Sequence, residues 1–257
     1  MGEMLITKQR ENIPVVIVRP SVVESAYREP FPGWIEGNRM FDPLMLFYGK
    51  GQLPGILENP NAVIDIVPVD IVVNTILVAM AKHGREAKPE LNVYHAASSV
   101  SNPILFYDFF KYSCDHFKSS PLIDRDGKQI RITDMKFLSS LSDFSSYISS
   151  EIIQQNGLRD HQAVPDEKHF VKIKTKCEKL ENFFCIWLRF MNLTCFSLAG
   201  QILFQPRFDN AKVKALMKMM SVEEKKLFAC DVGIIDWKEY VRDIHIPGFR
   251  TYVLKGK

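Results

Sequence analysis

Short apolar runs alternate with segments of helical periodicity over the first 125 residues. Met1, Met4 and Leu5 are predicted to form the inner side of an opening helix that ends near Asn12. The next run, "VVIV" at 15–18, has no polar position, which predicts a strand buried on both faces. Because such strands are typical of parallel sheets, the pattern favours an α/β fold.

Two more strands and three helices are predicted from the same alternation. The strands are expected at 63–67 and 92–96, and the helices at 42–47, 71–82 and 103–117. Asp42 and Asp70 are predicted to cap the first two helices, and Gly84 is predicted to end the second. The apolar face of that second helix is predicted to comprise Ile71, Val72, Thr75, Ile76, Ala79 and Met80. Strand–helix–strand alternation predicts parallel crossover connections.

The pattern changes after residue 119. Serines separate apolar positions at helical spacing over 138–152, which predicts a soft linker helix, with a membrane-touching surface as the alternative. Helices are predicted at 210–220, after a capping box of Ser221 and Glu224, and from Asp236 to just before Pro247. We therefore expect an α/β portion at 1–125, a linker at 126–165 and a helical domain at 166–257.

The segment 183–204 is long and apolar enough to be considered as a membrane span. Arg189 lies within it, and a charged residue near the bilayer centre costs about 2.5–3.5 kcal/mol. The sequence therefore favours a buried or interfacial helix, with peripheral membrane contact, and keeps a true span as the alternative.

Composition narrows the class of protein without identifying it. The 257 residues are 46% hydrophobic and 25% charged, as in a globular protein. A net charge of +3, from 33 basic and 30 acidic residues, is too balanced to argue for a nucleic-acid partner. The five cysteines are scattered without a C-x-x-C pair, which predicts reduced thiols and no metal site.

Nucleotide-binding motifs are weak or absent. The nearest match to a phosphate loop is "GKGQLPG" at 49–55, but its spacing is wrong and it follows a predicted helix. Tyr107 and Lys111 have the Tyr-x-x-x-Lys spacing of short-chain reductases, yet three neighbouring phenylalanines favour simple packing. We therefore assign neither a catalytic residue nor a phosphate cradle from these segments.

The loop after the first strand is the best candidate for a site. Ligands of open α/β sheets bind beyond the carboxyl ends of the strands, which is where "RPSVVE" at 19–24 lies. Further along, "FPGWIEG" at 31–37 presents Phe31 and Trp34 among glycines and a proline. Such a segment suits an apolar substrate wall and equally a packed surface loop, and the residues alone leave both interpretations open.

Several long motifs in order resemble one family. The runs "RPSVVESAYREPFPGWIEGNRMFDP", "YGKG", "AVIDIVPVDIVVN" and "NVYHAASS" closely resemble the alcohol-forming fatty acyl-CoA reductases of plants. The run "DWKEYVRDIHIPGFRTYVLK" resembles their helical, male-sterility-type C-terminal domain. The resemblance spans nearly the whole chain and is weakest over 119–165 and 183–205.

The resemblance implies a fold and an activity. The fold would be the C-terminal part of a Rossmann-like, extended short-chain dehydrogenase/reductase domain, followed by a helical C-terminal domain. The activity would be NADPH-dependent reduction of a long-chain fatty acyl-CoA to a primary alcohol. In the family a segment like "MGEML" follows the catalytic Tyr-x-x-x-Lys, so we expect no catalytic residue within this chain and little activity of the chain alone.

The resemblance also assigns candidate site residues. Pro20, Ser21 and Val22 match the turn at the nicotinamide end of the cofactor, and Phe31, Gly33 and Trp34 match part of the substrate side. Asp65, Pro68 and Asp70 match a motif that we interpret as structural.

Two other functions stay open. A non-catalytic acyl-binding or interaction module of the same family is the main alternative, whereas a sugar-nucleotide epimerase is disfavoured because it has no such C-terminal domain. An endoplasmic-reticulum membrane, the cytoplasm and, given a transit peptide, a plastid are the expected locations.

Overall fold

The computed structural model of the chain describes residues 2–86, 89–140, 142–147 and 207–255, with single positions 150, 175 and 182. It divides into two compact units, one of 1–40, 63–105 and 207–257, the other of 41–62 and 106–206. The predicted domain boundaries at 125 and 165 stay a prediction, and part of the linker, residues 141, 148–149 and 151–165, lies outside the described residues.

Eight strands and eight α-helices have described bounds. In chain order they are α1 (Gly2–Gln9), β1 (Val15–Pro20), β2 (Val22–Glu24), α2 (Asp42–Gly49), β3 (Gly55–Leu57), β4 (Val63–Ile64), β5 (Ile66–Pro68), α3 (Val69–Glu86), β6 (Leu91–Ala96), β7 (Ile104–Leu105), α4 (Phe106–Ser119), β8 (Lys136–Leu138), α5 (Ala211–Lys218), α6 (Val222–Leu227), α7 (Trp237–Glu239) and α8 (Ile246–Tyr252). Val232–Ile234 forms a 3-10 turn and Tyr240–His245 a π-helix. Residues 142–147 are also helical.

The first unit contains the parallel strands that the alternation predicted. β1 pairs in parallel with β6 over six positions, from Val15 opposite Leu91 to Pro20 opposite Ala96. The prediction that 15–18 is buried on both faces is wrong, because these residues are only half-buried. Among the described strands β1 has this one partner, so its other edge is left unpaired.

The predicted strand at 63–67 is broken into two. β4 pairs with β7 in antiparallel fashion, whereas β5 pairs with β2 in parallel. Asp65 separates them because its carbonyl oxygen accepts a hydrogen bond from the Val22 N–H and its carboxylate accepts one from the Ser98 N–H.

Helices α1 and α3 expose apolar residues that the sequence predicted to be buried. Met4 and Leu5 of α1 are exposed, so the prediction that they face inward is wrong. In α3 the predicted core positions Ile76 and Met80 are also exposed, while the other four are buried. α3 continues past Gly84 to Glu86, so Gly84 does not end it.

The C-terminal segment follows its capping signals more closely. Ser221 and Glu224 form the predicted capping box. Asp236 caps α7 through the N–H groups of Lys238 and Glu239. The prediction that the helix ends before Pro247 is wrong. The π-helix precedes α8, where Pro247 occupies the first turn and needs no hydrogen bond from its nitrogen.

Each unit has its own core. In the first, α3, β6 and α5 bury a cluster of Ala79, Tyr94, Val213, Leu216 and Cys230. In the second, aromatic rings of α2 and α4 pack edge to face, as in the pairs of Tyr48 with Phe110 and Phe117. α2 begins at Asp42 with Phe41 as its cap residue, so Asp42 is not the predicted N-cap. α4 begins at Phe106, later than predicted, because 104–105 form β7.

Candidate functional site

The three residues expected at the cofactor lie at the carboxyl end of β1. Pro20 ends that strand and is exposed, Ser21 is half-buried, and Val22 is buried in β2. The Ser21 N–H donates to the carbonyl of Ala96 at 3.0 Å, which holds the turn beside the end of β6. The turn therefore lies where two parallel strands end together, the usual position of ligands in such sheets.

Asp65 ties this turn to the loop that follows β6. Its carbonyl accepts from the Val22 N–H at 3.1 Å. Its Oδ1 atom accepts from the Ser98 N–H at 2.8 Å and from the Ser98 hydroxyl at 3.2 Å. One residue thus fixes two chain segments at the carboxyl edge, in line with the structural role that the motif suggested.

Two buried polar atoms at this edge have no hydrogen-bond partner among the described residues. They are the Ser21 hydroxyl oxygen and Oδ2 of Asp65. A buried polar group without a partner costs about 1–3 kcal/mol. The carboxyl edge of this parallel pair therefore contains polar atoms to which the described residues supply no partner.

The carboxylate of Asp70 anchors the loop that follows β2. It accepts three backbone N–H groups, from Tyr27 at 2.9 Å, Arg28 at 2.8 Å and Glu29 at 3.2 Å. Asp70 lies in the first turn of α3, one residue after its start, so the prediction that it caps the helix is wrong. Sequence reasoning missed this role because an Asp at a helix start can also accept hydrogen bonds from the backbone of a distant segment.

The predicted substrate segment is a closed loop. Ala26 donates to the carbonyl of Trp34 at 2.9 Å, and Gly33 donates back to the carbonyl of Ala26 at 2.8 Å. Gly33 is buried and Trp34 is half-buried, whereas Phe31 is 41% exposed and lies 5.3 Å from the ring of Tyr252. No hydrogen bond or ring contact of the described residues joins Phe31, Gly33 or Trp34 directly to the turn at Ser21.

Gly33 and Gly248 let the loop touch the C-terminal segment backbone to backbone. Gly33 has φ +78, and a Cβ atom there would lie 2.6 Å from the carbonyl oxygen of Ile244 and 2.9 Å from Cα of Gly248. A Cβ atom at Gly248 would overlap the backbone of Gly33. Sequence reasoning missed this contact because it interpreted Pro247-Gly248 as a helix end.

A buried polar cluster joins the same two segments. The Ser25 hydroxyl lies 2.9 Å from Nδ1 of His245, and the Tyr240 hydroxyl donates to the carbonyl of Ser25 at 2.7 Å. Nε2 of His245 lies 3.9 Å from the carboxylate of Glu24. No spacing in the sequence relates residues 24 and 25 to residues more than two hundred positions later, so only the fold reveals this cluster.

The weaker sequence motifs lie elsewhere. Tyr107 and Lys111 lie on the exposed side of α4. In the "GKGQLPG" segment, a Cβ atom on Gly49 would lie 2.5 Å from the ring of Phe117. That glycine therefore serves ring packing.

The possible membrane segment 183–204 lies outside the described residues. Within the part of the chain that the structure describes, no helix combines the length and the apolar character that a membrane span requires.

Comparison with known proteins agrees with the motifs. Residues 1–76 match an NAD-binding family model and residues 169–256 match a second model, and both are described as Male sterility protein. The chain is 44% identical to "Fatty acyl-CoA reductase 2, chloroplastic" of Arabidopsis thaliana, covering 100% of this chain and 41% of that protein. It is 30% identical to "Alcohol-forming fatty acyl-CoA reductase" of Simmondsia chinensis, over 99% of this chain and 50% of that protein. The chain thus spans about half the length of the relatives it matches.

A solved structure is also similar at a low level. It is the reductase domain of a nonribosomal peptide synthetase from Mycobacterium tuberculosis, at 10% identity and a TM-score of 0.44. The match covers 90% of this chain and 50% of that one.

The parallel strands and the first family match define an α/β domain of the nicotinamide-nucleotide-binding class. Together with the second match and the plant relatives, they show that the chain belongs to the fatty acyl-CoA reductase family.

Proposed function

We propose that this chain forms the cofactor-side turn and the substrate-side loop of an enzyme that reduces long-chain fatty acyl-CoA to a primary alcohol with NADPH. Relatives that are named fatty acyl-CoA reductases and the NAD-binding family match support the reaction class. The choice of NADPH, the long acyl chain and the full reduction to alcohol are parts of the proposal.

The observation that carries the proposal is the unpaired, buried hydroxyl of Ser21 at the carboxyl edge of β1 and β6. In this proposal the hydroxyl binds the nicotinamide end of the cofactor, and Pro20 and Val22 set the backbone around it. The bound cofactor would supply the hydride for the reduction. The neighbouring Asp65 keeps the turn in place through the Val22 N–H.

The substrate side of the proposal rests on the closed loop of 25–34. Phe31 and Trp34 offer apolar surface to an acyl chain, and Gly33 fixes the loop against the C-terminal segment. Because Asp70 holds three N–H groups at the start of the loop, this surface keeps its shape without a ligand. Such preorganisation lowers the cost of binding.

A chimera tests the proposal. The matching segment of the Arabidopsis relative is replaced by this chain, the hybrid is expressed in yeast, and fatty alcohols are measured by gas chromatography. Long-chain alcohols above the vector control are expected. A soluble hybrid that yields no alcohol from any acyl donor would contradict the proposal and would favour a non-catalytic acyl-binding module.

Two substitutions in the chimera separate the cofactor side from the substrate side. Ser21→Leu should lower all alcohols together because it fills the cofactor turn, whereas Ser21→Ala should raise the KM for NADPH with a smaller effect. Trp34→Ala should shift the chain-length profile because it removes a large apolar surface, and Trp34→Phe should retain the profile. Parent-like behaviour of both Ser21→Leu and Trp34→Ala would contradict the site assignment and leave the family intact.

The chain alone is expected to bind NADPH weakly. Its sequence contains no glycine-rich loop that follows a strand, and pyrophosphate contacts at such loops carry much of dinucleotide affinity. Calorimetric titration should show no tight binding, and micromolar affinity would contradict the expectation.

A plastid location is proposed for the gene product, since one relative is named chloroplastic. A fluorescent fusion of that product should colocalise with plastids. Labelling of the endoplasmic reticulum or of the cytoplasm would contradict it.

A further inference from the structure

We propose that α3, α5 and α6 of the first unit form a docking surface for a lipid bilayer that contains anionic phospholipids. This surface is separate from the turn and the loop described above, and the inference does not depend on the proposed reaction.

The apolar part of the surface begins on α3. Val73, Ile76, Leu77 and Met80 recur at the spacing of one helical stripe, yet all four are exposed, Met80 by 60%. The opposite side of α3 packs onto β1 and β6 through residues such as Ala79. α3 is thus apolar on two sides, and one of them faces solvent in the described structure.

α6 and the residues around it continue the apolar surface. Every residue from 221 to 228 is exposed, including Val222, Phe228 and the 70% exposed Leu227. The side-chain amide of Asn74 donates to the carbonyl of Ala229 at 2.9 Å, which ties this segment to α3. The capping box of Ser221 keeps the short helix formed although it buries no residue.

A cavity of about 370 Å³ lies between α3 and the segment 216–228. Leu77 and Ala81 of α3 line it together with Leu216, Met219 and Phe228. Lys82, Arg85 and Glu224 also line the cavity, but most of its lining side chains are apolar, so it can receive part of an acyl chain.

Cations surround this apolar surface. Lys82 and Arg85 line the cavity, and Lys218, Lys225 and Lys226 are exposed on α5 and α6. None of these five forms an ion pair with a carboxylate of the described residues. Of the two glutamates in α6, Glu224 already accepts from the Ser221 N–H.

Charge complementarity selects the occupant. Residues 211–228 contain five lysines and two glutamates, a local net charge of +3 that equals that of the whole chain. Exposed apolar side chains ringed by unpaired lysines are typical of segments that lie in the interface of an anionic bilayer. A second copy of the chain would bring the same positive charge to the contact and is disfavoured for that reason.

Vesicle flotation tests the proposal with the full chain. Protein is mixed with vesicles of phosphatidylcholine and phosphatidylglycerol in equal parts, or of phosphatidylcholine alone, and centrifuged through a density gradient. Aggregated protein stays at the bottom, so only bound protein floats. We expect the protein to float with the anionic vesicles. High salt should weaken this flotation, because salt screens the lysines.

Two double substitutions locate the binding surface. Lys225→Gln with Lys226→Gln should lower the partition coefficient at least about tenfold, since each cation near an anionic surface contributes strongly. Arg125→Gln with Lys128→Gln removes the same charge from an exposed loop of the other unit and should leave flotation unchanged. Met80→Ser with Leu227→Ser tests the contribution of the exposed apolar side chains of the surface. Circular dichroism checks that each variant is folded.

Several results would overturn the proposal. These are an absence of flotation, equal flotation with phosphatidylcholine alone, an equal loss in the control, or parent-like flotation of the lysine variant. A dimer on size exclusion that Leu227→Ser breaks, together with no flotation, would assign the surface to a second copy instead.

Discussion

The contact between Gly33 and Gly248 gives the sharpest test of how the loop proposed for the substrate side is held. Gly33→Ala adds one methyl group at a residue with φ +78 whose Cβ would lie 2.6 Å from the carbonyl oxygen of Ile244. Two costs follow, one from the left-handed backbone and one from the overlap with backbone atoms that have no flexible end to move.

The chain offers a control that separates the two costs. Gly127 has the same φ of +78, but a Cβ atom there meets nothing within 4 Å. Gly127→Ala should therefore lower the free energy of unfolding by about 1–2 kcal/mol, the cost of the left-handed conformation alone. Gly33→Ala should lower it by a further amount of about 1–3 kcal/mol, the usual cost of forcing atoms into a packed site.

Urea denaturation followed by circular dichroism measures both variants against the parent. A shift of midpoint with an unchanged slope would show that stability, and not the denatured state, has changed. If Gly33→Ala costs no more than Gly127→Ala, the loop and the C-terminal segment do not meet backbone to backbone, and the reasoning is wrong.

Three further predictions use the same assay. Gly84→Ala should raise the free energy of unfolding by about 0.5–1 kcal/mol, because α3 continues past this exposed position and a Cβ there meets nothing within 4 Å; a loss of stability would argue that the helix ends at Gly84. Asp70→Ala should cost about 2–4 kcal/mol because three N–H groups lose their acceptor, while Asp70→Asn should cost less; equal costs would contradict this role of the carboxylate. Burial raises the pKa of the Cys230 thiol to about 11, so the unfolded chain ionises first as the pH rises. The contribution of this thiol to the free energy of unfolding is fully present below about pH 8.5. It should be lost as the pH rises towards 11, so the free energy of unfolding should fall by up to about 3 kcal/mol, and less steeply in Cys230→Ala. Equal pH slopes of the parent and the variant would contradict the buried thiol.

Local signals in the sequence predicted most of the elements. The unbroken run at 15–18, the capping box at Ser221 and the alternation of strands and helices depend on neighbours within a few positions, and the structure contains all three. The parallel pairing of β1 with β6 follows from that alternation, because a crossover helix leaves the two strands pointing the same way. The family also followed from the sequence, since its motifs are long and occur in order.

Several of the failures share one cause. Ile76 and Met80 match the apolar periodicity of a core face, but periodicity does not tell which of two apolar sides of α3 meets the sheet. Asp42 and Asp70 are of a residue type that commonly caps helices. The cap residue of α2 is nevertheless Phe41, and the carboxylate of Asp70 binds a distant loop. Each of these four errors concerns a choice between partners that local pattern cannot rank.

The sequence by itself determined the fold class, the family and the segments in which the candidate site lies. The tertiary structure alone decided how that site is held, through Asp65 and Asp70 at one end and the Ser25–His245 and Gly33–Gly248 contacts at the other. The physical reason is that hydrogen bonds and backbone contacts between residues far apart in sequence leave no periodic trace. They arise only when packing brings the segments within a few ångströms.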